Sequence, residues 1–345
     1  MEWFPGTNKG VMNRILLIIL AAVPVFPSCS RDPYKASFPE GREEIRIRRM
    51  DKDLFEMDLD SIRARIPWLR NRYGDFFELY NTRIINIGSS LDVTYPQYLT
   101  VFLTDYLNNE AYKSVETLYP DLSWLEGQLG EAFAHYHYFF PDRQIPAVYS
   151  FIAGFNQSIV VADSILAIGL DKYLGTDCEF YPRLGLQEYM IMNMHKDMIL
   201  PDCINGWCST EFMFPDSVDN VLSNMLYNGK ILFLTKSLLP EVPDRLVAGF
   251  SGEQMQFCRA NEARMWEFLV ENKVLFRSDR LTIQKYTGIG PFTKEFGPSS
   301  PARAAVWIGW RIIEDYAARH PELSMKEIME EDDFQKILTL ARYDP

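Results

Sequence analysis

The chain has no apolar run long enough to span a bilayer. The stretch near its start, Ile15 to Phe26, is 12 residues, well short of the ~20 a helix needs to cross the hydrocarbon core. It also lacks a basic excess: 35 Lys and Arg stand against 47 Asp and Glu, a net charge of −12. Such a polyanion is a poor non-specific partner for nucleic acid, whose phosphates demand Lys and Arg. No Cys-x-x-Cys pair is present, which argues against zinc held by cysteines. No Gly-x-Ser-x-Gly elbow and no Gly-Lys-Ser/Thr phosphate loop appears, which removes two large enzyme classes. Thr287-Gly288-Ile289-Gly290-Pro291 is too short a glycine pattern, and Pro291 makes it a turn. There is no internal repeat. Histidine is scarce at four residues. His135 and His137, two apart in a helical segment, point to different faces and cannot share a metal. His195 precedes Lys196-Asp197 near the surface, and His320 precedes Pro321 at a helix end, where a cation suits the dipole.

What is present begins with an address. Met12-Asn13-Arg14 supplies a short basic region, the apolar stretch follows, and Ser28 places a small side chain before Cys29. That order is a secretory signal rather than a membrane span. A signal ending in a small residue plus cysteine is read as a lipoprotein signal, with diacylglycerol and acyl lipid on Cys29. Phe26 and Pro27 make the cleavage motif a loose one. Glu2 and Pro5 suit a leader poorly, so translation is expected to start at Met12. More than one acyl chain makes the anchor firm. No dense acidic run follows Cys29, which points to a periplasm-facing anchor in the cell envelope rather than surface display. Removal of residues 1–28 takes away Glu2, Lys9 and Arg14, a net +1, and leaves about −13.

At 47% apolar and 14% aromatic residues the mature chain can build a large core. Residues 29–42 read as a lipidated spacer and 43–345 as one folded region. Ile45 and Ile47 alternate with Arg46 and Arg48 like a short strand. Helical periodicity runs from Asp51 to Ile87, from Tyr95 to Leu107, and from Leu122 to Phe140. Ala147–Ile152, Ser158–Ala162 and Ile165–Leu170 are β-rich runs. Turn residues at Gly154, Asn156 and Asp163-Ser164 predict a small antiparallel meander near 146–170. Helices dominate afterwards, with Ser251/Gln254 and Ser324/Glu327 as capping boxes. Ala302 to Ala318 reads as a buried helix in which Gly309 permits close packing. The class is α+β, predominantly α-helical with a small antiparallel sheet. Four cysteines remain beside Cys29, and Cys203 with Cys208 could staple a short loop around Trp207 or stay as buried thiols.

Several blocks together carry a resemblance. They are Met225-Leu226-Tyr227-Asn228-Gly229-Lys230-Ile231-Leu232-Phe233 with Leu239-Pro240; Gly249-Phe250 with Glu253-Gln254, Cys258, Asn261-Glu262 and Trp266; and Ser300-Pro301-Ala302-Arg303 with Trp307-Ile308-Gly309-Trp310. Met50-Asp51-Lys52-Asp53-Leu54-Phe55 and Leu170-Asp171-Lys172-Tyr173-Leu174-Gly175 fit as well. In these blocks the chain resembles the gliding-motility lipoprotein B (GldB) family of Bacteroidota. The resemblance implies a membrane-anchored, non-catalytic component that supports gliding or secretion machinery by binding other envelope proteins or glycan. Phe292, Phe296, Trp307 and Trp310 are then the candidate contact surface. Arg303 is expected to cap a helix or pair with an acidic loop.

A fainter likeness is to a degenerate zincin. Such metallopeptidases need His-Glu-x-x-His, two imidazoles four apart on one helical face with a glutamate to activate water. Gln187, Glu188 and Asn228 are the candidate positions of that ancestral cleft. With Gln187 and Ile191 in place of both histidines no zinc would be held, so no metal and no catalytic residue is expected. The alternative is a divergent envelope hydrolase with an unconventional carboxylate site. Its mark would be a cleft holding a carboxyl group with a raised pKa.

Overall fold

Two runs of buried residues organise the chain, Ala147–Phe151 and Ile165–Gly169, each covered along four of its five positions. Strands buried on both faces read as continuous apolar runs, and that is how these two read. The computed structural model describes Phe38 and residues 41–215 and 219–345. All of these fall in one compact unit, Asp32–Pro345. The spacer residues other than Phe38, 41 and 42, the leader and Cys29 lie outside the described residues.

The sheet has four strands, β1 (Ile47–Arg49), β2 (Ala147–Phe151), β3 (Ile159–Ala162) and β4 (Ile165–Gly169), in the order β1-β2-β4-β3. β2 pairs in parallel with both β1 and β4, and only β3 and β4 form an antiparallel hairpin. The expected antiparallel meander is therefore a mixed sheet. Its α+β class and helical majority stand, but β2 does not turn back onto β3. After β2 the chain takes two successive left-handed residues, Gly154 (φ 62°) and Phe155 (φ 66°). The carboxylate of Asp171 holds this turn, accepting from the backbone N–H of Ala153 at 3.1 Å and of Phe155 at 2.7 Å. The chain thereby leaves the sheet, and β3 returns on the far side of β4.

Side-chain alternation sends each strand into two separate cores. Tyr149 and Phe151 of β2, with Ala167 of β4, pack against helices drawn from residues 50–104, including Leu69, Phe76, Phe77 and Leu99. Val148, Leu166 and Ile168 face the larger core, which contains Phe133, Tyr136, Trp207, Met225, Trp307 and Ile312. Helices thus cover both faces of the sheet.

On the larger side the helix Ser123–Phe139 is the long amphipathic one its spacing predicts. His135 and His137 leave it in different directions, the first to the Leu238 carbonyl (2.8 Å) and the second to Glu43 (2.7 Å). The two central helices are Val221–Leu238 and Ala304–Arg319. They cross where Gly229 meets Gly309, and no side chain separates their backbones. Both expected capping boxes form, at Ser251/Gln254 and Ser324/Glu327, and a third forms at Asn220/Ser223. Each satisfies helix-end donors, worth about 1 kcal/mol. Lys230, 2% exposed, donates to the carbonyls of Met329 and Glu331 at 2.9 Å and so fastens the C-terminal segment to the central helix.

Cys203 and Cys208 are free thiols in a single helix, Ile199–Glu211. Five positions along a helix turn through roughly 140° beyond one revolution, so the two side chains diverge. They form no loop staple.

Candidate functional site

A cavity of about 300 Å³ opens between the Ile199–Glu211 helix, the segment after β4, and the loop leading into the Ala304–Arg319 helix. Its charged side chains are Lys172, Asp202 and Arg303. The 170–175 motif explains two of its walls. Asp171 points inward to hold the turn after β2, which presents Lys172 and Tyr173 to the cavity. The Tyr173 hydroxyl donates to Asp202 Oδ2 at 2.8 Å.

Arg303 is the unusual member. It sits at the N-cap of a 16-residue helix with φ 60° and ψ 23°, a left-handed conformation that non-glycine residues avoid. Such a position persists only when its surroundings over-determine it, and outliers of this kind gather at functional sites. Here the surroundings are a hydrogen-bonded loop. Thr293 donates through both its N–H and its hydroxyl to the Pro301 carbonyl, while the Ser300 hydroxyl donates to Gly297 O at 2.7 Å. Thr293 and Ser300 are buried. Arg303 was expected to cap the helix or pair with an acidic loop, but its side chain makes no capping hydrogen bond. Its guanidinium closes no ion pair or hydrogen bond among the described residues, although it feels the charge of Asp202. Lys172 is likewise without an ion-pair partner among the described residues. Burial lowers the pKa of both cations.

Burial pushes the Asp202 carboxyl up to about 6, against the opposing effects of the Tyr173 hydrogen bond and the Arg303 charge. Asp171 is raised to about 6 for the same reason. Both lie above the unfolded value of ~3.9, so the folded state keeps these protons to higher pH. Their contribution to stability is therefore largest below about pH 4 and declines as pH rises to about 6. Thermal melts between about pH 4 and pH 7 should show this fall, and Asp202→Asn should shallow it. An unchanged slope in the variant would show that Asp202 titrates normally.

The positions proposed for an ancestral zinc cleft do not meet. Gln187 and Glu188 are exposed at a one-turn helix, Glu188–Ile191. Asn228 is half-buried on Val221–Leu238, its amide donating to Asn224 O at 2.8 Å. None of the three lines the cavity. Their neighbours Tyr189, Met190 and Leu232 do, together with Pro201, Asp202 and Asn205 of the Ile199–Glu211 helix. Among the described residues no group of three or more His, Cys, Asp or Glu is placed to hold a metal ion. Trp307 and Trp310, offered as contact surface, are buried at 3% and 2% exposure. Phe292 is exposed, and Phe296 packs edge-to-face with Phe268 and tilted against Tyr286.

Asp202 carries no motif that marks it in the sequence. The available signal is an acid set among Ile199, Leu200, Pro201, Cys203 and Ile204 in the first turns of its helix, a residue type rarely buried without purpose. Among the described residues no helix is long and apolar enough to cross a membrane. Residues 33–345 match the family described as gliding motility protein GldB. No curated protein and no solved structure matches the chain.

Proposed function

The chain belongs to the GldB family of gliding-motility lipoproteins, and from that premise we propose that it is a non-catalytic, ligand-binding component of the cell envelope. In this reading Cys29 carries the lipid, the body faces the periplasm, and the cavity around Arg303 receives part of a protein or glycan partner. The supporting observation is the cavity's chemistry: two cations that close no ion pair among the described residues and one carboxylate, with neither histidine nor cysteine in the lining. An acid–base pair needs two groups tuned apart, and a nucleophile needs a base beside it. An unpaired guanidinium on a rigid mount suits recognition instead.

The test is complementation in a gliding bacterium deleted for its own family member. The wild-type chain should restore gliding and Cys29→Ser should not, while purified protein leaves peptides and cell-wall fragments uncut. Restoration by Cys29→Ser would remove the lipid anchor from the account.

One observation favours a second reading, a divergent hydrolase. A carboxyl titrating near 6 in a cavity has the proton affinity of a general base at neutral pH. Turnover of a peptide or cell-wall fragment that Asp202→Asn abolishes would establish it.

A further inference from the structure

We propose that the cavity is a receptor for a free α-carboxylate joined to an apolar body, an amino acid or the last residues of a short peptide, with Arg303 as the carboxylate clamp. The proposal deepens the binding reading above and rests on it.

Three independent observations converge on this ligand. The first is charge. Lys172 and Arg303 place two positive groups on the lining and Asp202 one negative, while the Asp171 carboxylate acts on Lys172 from behind the wall. A monoanion suits a site with this little positive charge, and a phosphate dianion would press against Asp202.

The second is geometry. A guanidinium binds carboxylate through two parallel N–H donors, and the bond gains most when the fork is already aimed and dry. Arg303 is half-buried on the cavity lining, on a backbone that its loop holds in place. It is fixed by a left-handed backbone, braced by the Thr293–Ser300–Pro301 hydrogen bonds, and has no protein partner to surrender among the described residues. It also opens a 16-residue helix, whose N-terminal end favours an anion.

The third is the wall. Met190, Met192, Met194 and Met198 line the cavity together with Leu232 and Phe250. Thioether side chains are polarisable and adapt to apolar groups of different shape. A volume of about 300 Å³ lies at the lower end for ligand cavities, which suits one or two residues rather than a long chain. The Asp202 carboxylate, on the same lining and within electrostatic reach of the guanidinium, can accept an N–H from such a ligand.

The experiment is calorimetric titration of the full chain in mild detergent with leucyl-methionine, its C-terminal amide, free leucine and inorganic phosphate. The dipeptide acid should bind at least tenfold more tightly than its amide. Arg303→Gly, which suits the left-handed backbone and so preserves the fold, should weaken acid binding at least tenfold and leave the amide unaffected. Arg303→Lys, which keeps the charge but loses the fork, should fall between. Tighter binding of the dipeptide than of leucine identifies a peptide end, and equal binding identifies an amino acid. Equal affinity for acid and amide, wild-type affinity in Arg303→Gly, binding of phosphate alone, or no binding of any probe would each overturn the proposal. Consumption of the dipeptide during titration would end the non-catalytic reading while leaving the carboxylate site in place. Failure of every probe, with complementation intact, would end only this inference.

Discussion

Gly309→Ala is expected to destabilise the fold by about 3 kcal/mol or more, the upper range for overpacking a core. A Cβ at Gly309 would lie 2.0 Å from the Met225 carbonyl oxygen and 2.5 Å from its carbon. A Cβ at Gly229 would lie 2.4 Å from the Gly309 carbonyl carbon and 2.6 Å from Trp310 N. Backbone atoms stand on both sides, so no rotamer change can relieve the clash. The two central helices would have to separate, carrying Trp307, Trp310, Met225 and Leu226 out of register in the core. Urea unfolding should show a large drop in midpoint, because stability falls linearly with denaturant. Gly252→Ala is the control: a Cβ there meets nothing within 4 Å, and the change should be close to neutral. If Gly309→Ala lost less than about 1 kcal/mol, helix contact at this crossing would be loose and the argument wrong.

Asp51→Ala should cost about 3–5 kcal/mol, the range for removing one partner from a buried ion pair. Asp51 is fully buried, and its carboxylate takes Arg49 Nη2 at 2.6 Å and the Ser150 hydroxyl at 2.5 Å. Arg49 also donates to Tyr119 O at 2.9 Å. Since Arg49 pairs with Ser150 in the β1–β2 register, Asp51 locks the end of the edge strand to its neighbour. Alanine would strand the buried Ser150 hydroxyl and leave the partly buried Arg49 guanidinium with the Tyr119 carbonyl but no counter-charge. The double replacement Arg49→Met with Asp51→Leu should recover much of the loss, because it leaves no unpaired charge. Equilibrium unfolding of the single and double variants measures the coupling. A single variant as stable as wild type would mean that water reaches the pair.

The helices were legible because each is a local pattern. Leu125, Leu129, Phe133 and Tyr136 repeat at helical spacing, and Ser251 with Gln254 announces a helix start within four residues. The sheet order was not, because β1 is three residues long and its partner lies about a hundred positions away. Parallel pairing leaves no turn signal between partners. The family blocks were visible as strings, but their work was not. Gly229 is explained only by Gly309, Lys230 only by the carbonyls of Met329 and Glu331, and Asp171 only by the turn after β2. The cavity was hidden for the same reason. Asp202 and Arg303 come from helices a hundred residues apart, and nothing in Pro301-Ala302-Arg303 reveals a left-handed arginine.

The free thiols carry a consequence of their own. Cys203, Cys208 and Cys258 are sealed from solvent, and burial raises the pKa of each, Cys258 to about 12. Alkylating reagents attack the thiolate, so in the native protein these sulfurs are doubly protected, by access and by protonation. They are therefore clocks already fitted to the molecule, two in the helix under the sheet and one in the helix Gly252–Ala260. The rate at which each takes up a label reports how often its own neighbourhood comes apart, without any engineered probe.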